Sequence, residues 1–193
     1  MLKIALTGNI AAGKSLVENQ FQSFGIDVID ADKIAHEVLG EKIQLLQKFF
    51  GEEIIKQGQI SREKLAQIVF SDSKKKQKLE KIIHPEVRKR IAEFCEGKDI
   101  AIASIPLLFE VSWESDFDCV ILVISKDNLR LKRLMERNNL TKEQAKTRIN
   151  AQMSQGDKIK KADFVIDNNG SREETFEQVK QIYDILNRKL EEK

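Results

Sequence analysis

Residues 6–15 read LTGNIAAGKS, and within them Gly8, Gly13, Lys14 and Ser15 match the spacing G-x-x-x-x-G-K-[ST] of a phosphate-binding loop. A short apolar run, Leu2 to Thr7, leads into it, and a helical pattern follows. In that setting the glycines let the backbone curl, so that successive N–H groups point inward at phosphate oxygens. The helix that starts near Lys14 adds its unpaired N-terminal amides and the positive end of its dipole. Lys14 is expected to reach the β- and γ-phosphates, and Ser15 to ligate a magnesium ion. Asn9, Ile10, Ala11, Ala12 and Leu16 complete the stretch expected to bind a nucleoside triphosphate.

Working outward, β-branched runs alternate with helical periods, which predicts an α/β fold with a mainly parallel sheet. The strand candidates are Leu2 to Thr7, Ile26 to Asp30, Ile100 to Ile105, Cys119 to Ser125 and Asp163 to Asp167. The stretch from Lys33 to Glu96 carries no strand signal and is far longer than an ordinary crossover. It reads as a helical insertion, with Leu45, Leu46, Phe49 and Phe50 on one face and Leu65, Ile68 and Val69 on another. A second helical insertion is expected from Asn138 to Gln155. Near the C-terminus Ser171 and Glu174 form a capping box, followed by a stripe of Phe176, Val179, Tyr183, Leu186 and Leu190. The run SKKKQK at 73–78 reads as a solvated helix face.

The chain has 193 residues, is 41% hydrophobic and 33% charged, and carries a formal net charge of only +2. No strong global field therefore points to nucleic acid or to an anionic membrane, and neither is expected as a partner. Cys95 and Cys119 lack metal-ligand spacing, so reduced thiols in a cytoplasmic protein are expected. The residues ahead of the loop are too few for a signal peptide, and no stretch is long and apolar enough to span a bilayer.

The loop alone does not separate a GTPase, a motor and a small-molecule kinase. After the fourth strand stands SKDN rather than an Asn-Lys-x-Asp guanine reader, and IAIASIP ends without the strand-end aspartate of a motor or switch. A phosphoryl-transfer site needs a carboxylate to orient or deprotonate the attacking hydroxyl. VIDADKIAHEV, at 28–38, supplies Asp30 and Asp32 at the ligand edge of the sheet. Asp30 is equally readable as a helix N-cap, and Asp32 as a favourable first-turn charge.

LTGNIAAGKS, VIDADKIAHEV, HPEV, PLLFE and ADFVIDNNG stand in the order found in dephospho-coenzyme A kinases, and over essentially its whole length the chain resembles that family. The resemblance implies transfer of the ATP γ-phosphoryl group to the ribose 3′-hydroxyl of dephospho-CoA, the last step of coenzyme A synthesis. It also implies a phosphate-loop kinase sheet with a helical CoA-binding insertion and a lid. The corresponding spans are 1–32, 97–137 and 156–193 for the core, 33–96 for the insertion and 138–155 for the lid. By the same resemblance Asp32 is the acidic residue near the acceptor hydroxyl, while Arg62 and His84 lie on the acceptor side. Pro106 and Glu110, in PLLFE, fall on the ligand edge, and Glu110 would meet a magnesium-linked water or a lid arginine. Asn168 matches a position near adenine. Structural readings stay open beside these: a helix-start Arg62, a His84 bonded inside a helix break at Pro85, a surface Glu110 and a turn Asn168.

Arg130, Arg133 and Arg137 recur at helical spacing, so one stripe can be basic while Leu131, Leu134 and Met135 face inward. Thr141 with Gln144 makes another capping box, opening a helix on which Arg148 and Gln152 share a face. Arg137 and Arg148 are the arginines expected at the ATP phosphates, with Arg148 in a catalytic role beside Lys14 and Asp32. Arg130 is expected on the solvated face. Two positions depart from the family pattern: Ala11 where glycine is common, and Leu16 where threonine is common. A negative φ at Ala11 would leave the loop unstrained, and Leu16 would turn into the core. A kinase of the same architecture for a nucleotide or another small alcohol, and a non-catalytic nucleotide-binding regulator, remain as alternatives.

Overall fold

The structure, a computed structural model, describes residues 1–192. It opens with β1 (Leu2–Gly8), α1 (Lys14–Ser23) and β2 (Asp27–Asp30). A helical stretch follows, with α2 (Ala31–Glu41), α3 (Ile43–Phe50), β3 (Ile55–Lys56), β4 (Gln59–Ile60), α4 (Arg62–Ser71) and α5 (Ser73–Cys95). The chain then returns through β5 (Ile100–Ser104), β6 (Cys119–Ile124), α6 (Asp127–Asn138), α7 (Lys142–Asn150), α8 (Gln155–Ile159), β7 (Phe164–Asp167) and α9 (Arg172–Glu191). The fold is the expected α/β one, and the five expected strands all form. Their five-stranded sheet has the order β2-β5-β1-β6-β7.

Two compact units divide the chain: residues 1–29 with 95–193, and residues 30–94. In the first, β1 pairs in parallel with β5 on one side, Leu6 opposite Ser104, and with β6 on the other, Gly8 opposite Val123. β1 sends the chain toward one edge of the sheet and β5 sends it toward the other, so their carboxyl ends flank the switch point at which such sheets bind ligands. Strands buried on both faces need near-continuous apolar runs, and Ile4, Leu6, Ile102, Ile121 and Val123 are fully buried. Helices α1 and α9 bring Val17, Phe21, Val179, Ile182 and Leu186 into the same cluster. On α9, Phe176, Tyr183 and Leu190 are only partly covered, while Thr175 and Ile182 are buried beside the expected Val179 and Leu186. Both expected capping boxes form, Thr141 with Gln144 and Ser171 with Glu174.

The second unit departs from expectation in three places. It contains a two-stranded hairpin, β3 with β4, in a stretch that carried no strand signal. Gln57 and Gly58 both take positive φ, 53° and 77°, as a two-residue hairpin turn of the primed type requires. Strands this short leave no detectable alternation in the sequence. Helix α5 runs through Pro85 without a break, its 23 residues outweighing one missing backbone donor. On α3 only Leu46 and Phe50 are buried, whereas Leu45 and Phe49 are 41% and 44% exposed. A four-residue step keeps each pair on its own stripe, and only one stripe faces the core. The Lys78 ammonium lies 4.0 Å from the centre of the Phe49 ring. The lysines at 74–76 and 78 are exposed, as expected.

The loop itself is strained at one position. Ala11 sits at φ 61°, in the left-handed region, rather than at negative φ. A non-glycine residue there carries strain, so Ala11→Gly is expected to stabilise the protein by ~1 kcal/mol. For a chain of this size that is a rise of roughly 2–4 °C in thermal midpoint, readable by calorimetry.

Candidate functional site

The phosphate loop is held by its carbonyls. Gly13 ends it at φ 100° as the N-cap of α1, with no side-chain cap of its own. A Cβ at Gly13 would stand 1.8 Å from Asn168 Nδ2, so only glycine leaves room for that amide. Asn168, at the end of β7, is 4% exposed; its Nδ2 donates to Ala12 O at 2.8 Å and its Oδ1 accepts from Thr175 Oγ1 at 3.0 Å. It is therefore neither a free turn residue nor a group turned outward, but a buttress of the loop. Arg133 NH1 donates to Ala12 O at 3.4 Å and to Ser125 Oγ at 3.2 Å, while its NH2 donates to Asn168 O at 3.3 Å.

Arg130 is buried rather than solvated. Expected on the solvated face, it is 2% exposed, donating from Nε to Ile10 O at 3.1 Å and from NH1 to Asp127 at 2.8 Å. The apolar stripe of α6 narrows to Leu134, and the basic stripe covers the loop in its place. Two more contacts come from the segment after α7. Gln152 Oε1 accepts from Ile10 N at 2.7 Å, and Asn9 Nδ2 donates to Met153 O at 2.8 Å. Sequence reasoning placed Gln152 beside Arg148 but gave it no role; its only signal was that shared face. Arg137 and Arg148 are both exposed, and Arg137 Nε donates to Asn138 Oδ1 at 3.0 Å. Leu16 does not enter the core: half-buried, it lines a shallow groove of about 370 Å³ with Gln20, Arg172 and Phe176.

On the inner side of the loop, Lys14 Nζ donates to Glu18 at 2.7 Å and to Ser104 Oγ, and Ser104 Oγ in turn donates to Glu18. Ser15 follows Lys14 on the exposed side of the first turn of α1. Beyond β5, Pro106 O accepts from Thr7 Oγ1 at 3.3 Å and from Lys158 Nζ at 3.4 Å. Lys158 is fully buried and pairs at 3.0 Å with Glu110, which also accepts from Met153 N at 3.0 Å. Glu110 thus meets a lysine where an arginine or a metal-linked water was expected. Lys158 itself, in a polar stretch of α8, gave no sign of its burial.

In the second unit Asp30 is the N-cap of α2, its Oδ1 accepting from Asp32 N at 2.9 Å, and Asp32 occupies the first turn, exposed. Arg62 opens α4 and its NH1 lies 2.7 Å from His36 Nε2. His84 is half-buried within α5. Burial lowers its pKa from the usual 6.5, Glu80 opposes that, and Arg88 reinforces it. The folded protein therefore binds this proton less readily than the unfolded chain. Stability contributed by neutral His84 is intact above about pH 6.5 and is lost as pH falls through the lowered folded value. In His84→Gln the urea midpoint should fall less steeply between about pH 6.5 and 5 than in the parent protein.

The family described as Dephospho-CoA kinase matches residues 2–174. A dephospho-CoA kinase of Listeria monocytogenes is 44% identical over 199 residues, covering 98% of this chain and 98% of that protein. A crystal structure from Thermus thermophilus superposes with a TM-score of 0.88 at 35% identity, covering 94% of this chain and 95% of that one. The dephospho-CoA kinase of Campylobacter jejuni does so at 0.72 and 34% identity, with the same coverage. With its phosphate loop at the sheet's switch point and these relatives along nearly its full length, the chain belongs to the dephospho-CoA kinase family.

Proposed function

We propose that the protein transfers the γ-phosphoryl group of ATP to the ribose 3′-hydroxyl of dephospho-CoA, giving CoA and ADP in the last step of coenzyme A synthesis. Family membership over nearly the whole chain carries this reading, because a phosphate loop by itself names no acceptor. The loop and Lys14 supply the means: backbone amides where α1 begins and an ammonium would gather the β- and γ-phosphates.

Transfer is direct and in line. The O3′–Pγ bond forms as the bond from Pγ to the β,γ-bridging oxygen breaks, and ADP leaves. Asp32 orients the 3′-hydroxyl and takes its proton. Residues 33–96 serve as the acceptor-binding insertion, with Arg62 and His84 among its contacts, and Pro106 and Glu110 line the acceptor edge of the sheet. Residues 138–155 act as a lid, whose closure excludes water and brings Arg137 and Arg148 to the transferring charge. Arg148 then stands with Lys14 among the catalytic groups. Asn9 to Leu16 and Asn168 form the ATP side, Asn168 by holding the loop in shape beside the adenine.

Kinases with this loop work on ATP complexed to a divalent cation, and magnesium is the ion proposed. Among the described residues no three His, Cys, Asp or Glu side chains come together to hold a metal. That fits an ion carried by phosphates, which takes only one or two protein oxygens; Ser15 Oγ is the first. When bound, the ion neutralises charge on the β- and γ-phosphates.

Cytoplasm is the compartment proposed. Both cysteines are buried and unbridged, burial pushes Cys119 up to about 12, and no helix among the described residues is long and apolar enough to cross a membrane.

ADP release should be measured with magnesium-ATP and dephospho-CoA, beside nucleoside monophosphates and a no-acceptor control. Turnover with dephospho-CoA alone, yielding CoA by mass, is expected; turnover with a nucleotide instead would replace the acceptor, and ATP binding without turnover would favour a regulator. In Asp32→Asn, kcat should fall by ~10²–10⁴-fold, the range for a lost general base, with ATP affinity nearly unchanged. A loss of ATP affinity would move Asp32 to a metal-holding role.

A further inference from the structure

Strand β5 ends at Ser104, opposite Leu6 of β1 and beside the phosphate loop. In many phosphate-loop proteins an aspartate on a neighbouring strand works with the loop serine or threonine to hold the metal of metal–ATP. Here a serine closes the strand, and IAIASIP contains no carboxylate. A carboxylate arrives from another element. Glu18 stands three residues after Ser15 and four after Lys14, the two spacings that place side chains on one helix face. Ser104 Oγ and Lys14 Nζ both donate to its Oε1. Its side chain is only 16% exposed, and that of Lys14 15%.

An ordinary i,i+4 pair on a helix surface stays in water and orders little. This pair is mostly withdrawn from water at the sheet's switch point, where an ionised carboxylate is retained only if it is partnered. With both bonds accepted by one oxygen, the carboxylate keeps acceptor capacity at Oε2.

We infer that Glu18, held in place by Ser104, is the second protein group for the divalent cation that accompanies ATP, standing in for a strand-end aspartate. Ser15 and Glu18 then present a hydroxyl and a carboxylate from consecutive turns of α1, within the one or two protein oxygens such an ion takes beside phosphates. Lys14 is held between Ser104 and Glu18 until phosphates draw its ammonium away. The inference rests on the loop binding metal–ATP and needs no particular acceptor.

Acceptor-free binding tests it. The affinity of a non-hydrolysable ATP analogue is measured by calorimetry with and without magnesium, and the ratio gives the gain due to the ion. Manganese bound with the analogue is followed by electron paramagnetic resonance. In Glu18→Gln the gain should fall by ~10-fold, as for other groups that hold or orient a metal, with metal-free affinity equal or higher and the manganese spectrum altered. Adding Ser104→Asp to Glu18→Gln should restore much of the gain by returning a carboxylate to the strand end. An unchanged gain in Glu18→Gln, even with tighter metal-free binding, would overturn the inference and leave Glu18 as a clamp on Lys14. If Glu18→Gln does not fold, Ser104→Ala carries the test: a reduced gain supports the inference and an unchanged one overturns it. A parent protein whose analogue binding ignores magnesium would overturn it too. Magnesium-coupled binding without turnover of dephospho-CoA would overturn only the acceptor.

Discussion

The loop at residues 8–15 is held in shape from outside, chiefly through its carbonyls. A chain curled so that several N–H groups face one point must turn its C=O groups the other way, and buried carbonyls need donors. Arg130 takes Ile10 O, while Arg133 and Asn168 take Ala12 O. These donors come from α6 and the end of β7, elements whose own places are set by the sheet. Asn168 is in turn held by Thr175 on α9. The bend at Gly13 belongs to the same arrangement, since the space a side chain would fill is occupied by the Asn168 amide.

The basic stripe on α6 gains a physical meaning from this. Guanidinium groups close to phosphates are readily read as charge stabilisers, yet here the two nearest the loop are spent on its backbone. A planar fork of donors can bond several carbonyls at once, which an ammonium cannot match. Exposure marks the difference: Arg130 is buried and Arg133 half-buried, whereas Arg137 and Arg148 are exposed.

Beyond β5 a second set of polar contacts gathers the segment leading into α8. Lys158 brings its charge into the interior against Glu110 and Pro106 O, and Glu110 also holds Met153 N. Asn9 binds the neighbouring carbonyl of Met153. Only the lysine of this pair is buried, Glu110 standing at the surface, so removing the carboxylate would leave a buried charge unpaired, which holds the chain to this path. The end of the segment proposed as the lid is thereby anchored at a defined place against the loop.

Much of this protein was determined locally. The G-x-x-x-x-G-K-S spacing, the five β-branched runs and two capping boxes each depend on residues close in the chain, so they could be read without coordinates. The Asp30 cap likewise needed only its neighbour Asp32. What depended on distant partners could not be read. Helical periodicity put Arg130 and Leu134 on an amphipathic surface but did not say which side would meet the loop. Nothing near Ala11 in the chain marked its positive φ. Lys158 in its polar surroundings, and Glu18 beside Ser104, acquired partners 48 and 86 residues away, or further, only when the sheet assembled. Spacing along the chain fixes which atoms can share a turn, but the burial of charge and the choice of partner are set by packing, which is a property of the whole fold.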